Sequence, residues 1–132
     1  GVALKPGHPV ALGVVEETPV ISLPGYPVAC IVNAVQFLRP VLKHVGGMDC
    51  RPLPSTEARL ARKISSEPGT RTFARVELRT EDDERVAVPT RTSGSGILSS
   101  VALADGWVVV PESREGIPED ERVPVEDWEW SA

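Results

Sequence analysis

Residues 21–32 read ISLPGYPVACIV, and the fold turns on how that stretch divides. An apolar run stops at Pro24-Gly25, one aromatic follows, and a second proline opens a longer apolar stretch. Pro27 suits the first turn of a helix, where its missing N–H has no intrahelical partner to lose. From there Val28, Ile31, Val32, Val35, Leu38, Leu42 and Val45 recur at steps of three and four, the mark of a helix with one buried face. Pro40 is expected to kink this helix by removing one backbone bond. Gly46-Gly47 is expected to end it, with Lys43 and His44 near the negative end of its dipole. Upstream, residues 10–15 and 20–23 read as short strands around a turn at 16–18, a hairpin-like pair. Residues 1–4 look like the tail of a strand with nothing before it to pair with. Lys5-Pro6-Gly7-His8-Pro9 cannot be regular structure, because two prolines flank its glycine and histidine.

The character changes at residues 48–55, where Pro52 and Pro54 mark a linker. Alternation then replaces helical spacing: Ala58, Leu60 and Ile64; Phe73, Val76 and Leu78; Val86 to Val88; Trp107 to Val110; Val123 and Val125. Turn signals at 67–69, 81–84, 104–106 and 116–120 separate the runs. Short strands at this spacing predict a small β-barrel or sandwich, with one or two helical turns at 97–103. The expected organisation is an α/β segment over 1–49 followed by an all-β domain over 50–132.

Composition narrows the function classes. A chain of 132 residues with 41% hydrophobic residues supports one domain or two small ones. Net charge of -5 argues against a general binder of nucleic-acid backbones, and one Tyr and two Phe leave little to stack bases. Uninterrupted apolar runs are short, so no membrane span is expected, and no signal peptide opens the chain. Cys30 and Cys50 have neither metal-ligand nor redox spacing. Cys30 reads as a small core residue, and the chain reads as cytoplasmic with free thiols.

Three loops carry candidate chemistry. The turn at 24–27 joins a strand end to a helix start, where ligands gather in α/β sheets and unpaired N–H groups favour anions. Tyr26 and Val28 have N–H groups to donate; Pro24 and Pro27 have none. A plain structural turn fits the same residues equally well. Lys5, one of three lysines, sits where a point charge meets an oxyanion, although a lysine in such a place is more often simply solvated. Residues 92–100, TSGSGILSS, place small hydroxyl residues and glycines before a short helix. They lack the Gly-Lys-Ser/Thr of a nucleotide loop. His44 reads as a helix-end residue, Trp107 as core, and Trp128 and Trp130 as a frayed chain end packed on the barrel rather than a partner-binding tail.

In this order the loops resemble the C-terminal part of the MoeA/gephyrin family, the molybdopterin molybdotransferases. ALKPGHPVALG is similar to the family's Lys-Pro-Gly-Lys-Pro loop, PVISLPGYPVACIV to its Leu-Pro-Gly-Asn-Pro-Val-Ser turn, and SGSGILSSVALADGWVVVPE to a stretch of its last β domain. The resemblance implies the end of a molybdopterin-binding, Rossmann-like α/β domain followed by a β-barrel. It implies insertion of molybdate, or tungstate, into adenylylated molybdopterin with release of AMP, in a longer protein whose acidic ligands for magnesium lie outside this chain. It also implies a homodimer when full length. The gephyrin-type alternative is a non-catalytic dimerisation and peptide-binding module. By resemblance Lys5 contacts phosphate or molybdate, Pro24, Gly25 and Pro27 form the rigid loop beneath the pterin, and Ser95 reaches towards the oxyanion pocket. His8 stands where a second lysine is usual and Tyr26 where asparagine is usual. Arg71 is a candidate for a family arginine, one residue late.

Overall fold

The computed structural model describes residues 1–90 and 99–128. In chain order the elements are β1 (Leu4–Lys5), β2 (Ala11–Val15), β3 (Thr18–Ser22), α1 (Pro27–Asn33), a π-helical turn (Ala34–Leu38) and α2 (Arg39–Val45). Then come β4 (Ser55–Leu60), β5 (Ile64–Ser65), β6 (Arg71–Glu81), β7 (Glu84–Pro89), α3 (Ser99–Ala102), β8 (Gly106–Val110), β9 (Gly116–Ile117) and β10 (Arg122–Asp127).

Five strands close a barrel in the order β6-β7-β4-β10-β8 and back to β6. Closure depends on the length of β6. Its first half pairs with β8 from Thr72↔Val110 to Val76↔Gly106, and its second half with β7 from Val76↔Pro89 to Glu81↔Glu84. Gly106 is where the seam is tightest, because a Cβ there would collide with the Glu126 carbonyl of β10. The β6–β7 hairpin turns on Asp82 and Asp83, both at positive φ, and β2–β3 turns on Glu16 and Glu17 in the same way. Such turns match the twist of the flanking strands.

Alternation along the strands sorts side chains into two cores. Ala58, Leu60, Val76, Ala87, Val108, Val110, Val123 and Val125 fill the barrel together with Ile64 and Ile117. On the outer wall Phe73, Trp107 and Trp128 pack with Leu4 and with Val32 and Val35 of the helical stretch. Phe73 meets Trp107 edge-on at 5.2 Å, and Trp128 lies 5.1 Å from Trp107. Trp128 is therefore packed on the barrel as the sequence implies; Trp130 and Ser95 lie outside the described residues.

Residues 1–49 depart from the expected Rossmann-like end. A parallel sheet needs strands that return through helices, and this stretch holds one helical run and an antiparallel hairpin, Ala11↔Ser22 to Val15↔Thr18. The Rossmann-like sheet is not in this chain. Nor is the first strand unpaired: Leu4 and Lys5 run parallel to Arg71 and Thr72 of β6. Pro40 acts differently from the simple kink expected. It stands in the first turn of α2, and just upstream the Arg39 N–H bonds to Ala34 O, five residues back. The widened turn precedes the residue that has no N–H to give. Together Pro27–Val45 spans nineteen residues and is long and apolar enough, by length and composition alone, to cross a bilayer. A core helix meets the same measure, and Val28, Ala29, Val32, Asn33 and Val35 are buried here. The hairpin β2–β3 has no buried residue, and Leu12, Val14, Val15 and Val20 are exposed.

Ion pairs tie down the barrel's loops. Arg114 donates from Nη1 and Nη2 to Glu121 Oε2 and Oε1, both at 2.9 Å, and the pair holds the Glu121 carboxyl below the usual carboxylate range. Glu112 is lowered first by a bond from its own backbone N–H and then by Arg71. A carboxylate with a depressed folded pKa stabilises the fold above its unfolded value, ~4.3, and that contribution disappears as pH falls through the folded pKa. The melting temperature should accordingly fall as pH drops from about 5 towards 3, and Glu121→Gln should flatten the slope. A melting series showing the same slope in both proteins would rule out the pair as a source of acid sensitivity.

Candidate functional site

A cleft of about 610 Å³ lies between the Lys5–Pro9 loop, the start of α1 and the outer wall of the barrel. The N-terminal stretch contributes Lys5, His8 and Tyr26; the barrel side contributes Lys63, Thr72, Phe73 and Arg75. No aspartate or glutamate is among the described residues that line it. In a chain of net charge -5, this is a local inversion of sign. Apolar surface from Leu4, Ile64 and Phe73 completes the wall, so the cleft suits a ligand with a flat or apolar body and an anionic end.

The loop that carries Lys5 and His8 is held at three places. Lys5 is fixed by β1 pairing with Thr72, and the Arg71 N–H donates to Ala3 O at 2.9 Å. His8 O accepts from the N–H groups of Val2 and Val10 at 3.0 and 2.9 Å. Its Nδ1 lies 2.8 Å from Val2 O; a carbonyl only accepts, so Nδ1 carries the proton. The third hold comes from α1. Asn33, fully buried, donates from Nδ2 to Gly7 O at 3.0 Å and to Ala29 O at 2.9 Å. Gly7 has φ of 122°, and a Cβ on it would lie 2.5 Å from Asn33 Nδ2, so only glycine fits.

Lys5, His8 and Tyr26 come together in the cleft. The Lys5 ammonium is mostly solvated and 3.8 Å from Glu67. The His8 ring is tied back to the chain start. Tyr26 is the N-cap residue of α1, with no side-chain capping bond and no acidic residue in the first turn. Pro24 is buried, while Gly25 and Pro27 are exposed beside the cleft's edge; none of the three lines it. Arg71 points elsewhere, into a separate hollow with Gln36 and Phe37, and its Nε donates to Glu112 Oε2 at 3.0 Å. Ser95 is not among the described residues.

Three residues that sequence reasoning passed over belong to the site or its frame: Asn33, Lys63 and Arg75. Arg75 is 9% exposed, and burial lowers its pKa. An arginine starts high enough to stay charged at neutral pH. One signal was legible: a buried arginine between Ala74 and Val76 in an alternating run is a charge held for a reason. A single asparagine on an apolar helix face is the other.

Residues 57–128 match the family described as the MoeA C-terminal region (domain IV). A Methanocaldococcus jannaschii protein named for molybdopterin biosynthesis is 36% identical over 95% of this chain, which spans 28% of that protein's length. Molybdopterin molybdenumtransferase 2 of Mycobacterium tuberculosis is 32% identical over 84% of this chain and 27% of its own length. Among solved structures, the molybdopterin biosynthesis MoeA protein of Pyrococcus horikoshii superposes with a TM-score of 0.76 at 38% identity, over 96% of this chain and 30% of that one. A molybdenum cofactor biosynthesis protein of Pyrococcus furiosus gives 0.81 at 31%, over 97% and 44%.

Proposed function

This chain belongs to the MoeA family through its C-terminal region, and on that premise we propose that it works in molybdenum cofactor biosynthesis as the C-terminal part of a molybdopterin molybdenumtransferase. The reaction is insertion of molybdate, or tungstate, into adenylylated molybdopterin with release of AMP. The observation that carries this reading is the cleft itself, lined by Lys5, Lys63 and Arg75 with no carboxylate among the described lining residues. Both halves of the reaction handle anions: an oxyanion is delivered and a phosphoanhydride is cleaved. Cations gathered at one cleft stabilise the negative charge that both steps handle.

Lys5 meets a phosphate or molybdate oxygen as a point charge, and Arg75 adds a buried positive charge at the barrel wall. The turn at 24–27 sets the start of α1 at the cleft's edge. Among the described residues no three His, Cys, Asp or Glu side chains converge as metal ligands. No aspartate or glutamate is among the described lining residues either, so in this reading the carboxylates for magnesium lie outside this cleft. The protein acts in the cytoplasm and as a homodimer in this reading. The exposed apolar hairpin β2–β3 favours a second reading, a gephyrin-type module for dimerisation and peptide binding.

Lys5→Ala separates the two. In the longer transferase proposed here, molybdate insertion should fall at least about tenfold, the effect of losing one charge-assisted contact. The melting temperature should hardly move, because an exposed ion pair such as Lys5–Glu67 contributes little stability. Insertion at the unsubstituted rate would reject the enzymatic reading of the cleft.

A further inference from the structure

We propose that Lys63 is a second anion contact of the cleft, holding a phosphate group of the bound substrate from the barrel wall. The inference rests on the reading of the cleft as the substrate site. Lys63 is one of three lysines in the chain. Lys43 is in the last turn of α2, and Lys5 has Glu67 within 3.8 Å. Among the described residues no carboxylate is within ion-pair distance of Lys63, although 19 of the chain's residues are acidic. An acidic chain that keeps carboxylates away from a cation lining an apolar-walled cleft keeps that cation available to a ligand.

The backbone beneath Lys63 is well fixed. It leads directly into β5, where Ile64 is buried in the barrel core and pairs with Ile117, and Ser65 pairs with Gly116. Ser66 Oγ lies 2.7 Å from Thr72 Oγ1, and Thr72 is the register partner of Lys5. The two lysines are thus carried by segments that meet at one residue of β6. Beside them Phe73 and Pro89 give the cleft an apolar surface for a heterocycle. The shared chemistry is a phosphate ester, which the nucleotide and the pterin each offer.

The test is calorimetric titration of the longer transferase with inorganic pyrophosphate and, separately, with AMP, at low ionic strength. Lys63→Gln should weaken binding about tenfold, as expected for one charge-assisted hydrogen bond. Lys63→Arg should retain most of the affinity, and Lys43→Gln, which removes an equal charge outside the cleft, should leave it unchanged. A loss seen with both probes places Lys63 on a bare phosphate, and a loss confined to AMP places it on the nucleotide. If Lys63→Gln matches Lys43→Gln while Lys5→Ala weakens binding, the role of Lys63 is overturned and the functional reading stands. If the unsubstituted transferase binds neither probe, both fall.

Discussion

Trp107→Ala is expected to lower stability by about 3–5 kcal/mol, the range for removing a large aromatic from a core. Three contributions act together. The ring is 1% exposed, so the variant loses nearly all of the free energy of burying it and leaves a cavity in its place. It lies between Phe73 and Trp128, and such aromatic pairs add to area burial. Its Nε1 donates to Glu126 Oε2 at 2.8 Å, on the strand where β10 pairs with β8 through Glu126↔Trp107. Against a typical total of ~5–15 kcal/mol, this loss is large. Trp107→Phe should cost distinctly less, since it keeps a ring and gives up the hydrogen bond and part of the area. Denaturant midpoints would decide the matter; equal midpoints for the two variants would mean that the outer core does not carry the barrel.

The second large effect is expected at Gly7. Gly7→Ala places a side chain at a φ of 122°, a region costing roughly 1–3 kcal/mol for other residues, and sets its Cβ 2.5 Å from Asn33 Nδ2. Either the loop or the asparagine must move. Moving Asn33 disturbs its bonds to Gly7 O and Ala29 O in a site with no exposure, where an unmet polar group costs about 1–3 kcal/mol. The sum is on the order of 3 kcal/mol. Because two named atoms collide, the costs should not add. In the Asn33→Ala background, Gly7→Ala should cost less than it does alone. Additive costs would show that the strain is purely one of backbone conformation.

What was legible in the sequence follows the range of the interactions involved. The hairpin, the helix opening at Pro27 and the two glycines after Val45 are local, and each rests on turn chemistry or a helical period within a few residues. The alternating runs named the barrel's inner wall because alternation is itself the signature of a strand with one packed face. Closure was not legible. The parallel pairing of β4 with β7 and the double partnership of β6 join residues far apart in the chain, and no spacing encodes them. The π-helical turn shifts the helix face, so Val35 is the last buried residue of the apolar series while Leu42 and Val45 are exposed. In the site, motif likeness found the loop with Lys5 and His8. It missed Lys63 and Arg75, because a reading by apolar alternation attends only to the inward face. The Rossmann-like expectation came from likeness to longer proteins, and the strands that would build such a sheet are not in this chain.

The double use of β6 bears on how portable this barrel is. Val76 faces the inner core while Phe73, three residues earlier, faces the outer one. The same backbone therefore serves two packed layers, one inside the barrel and one beneath the helix. A barrel transplanted without that helix would display Phe73, Trp107 and Trp128 as a bare aromatic patch, a surface that invites association. Any new setting for this barrel must bring its own cover for that wall.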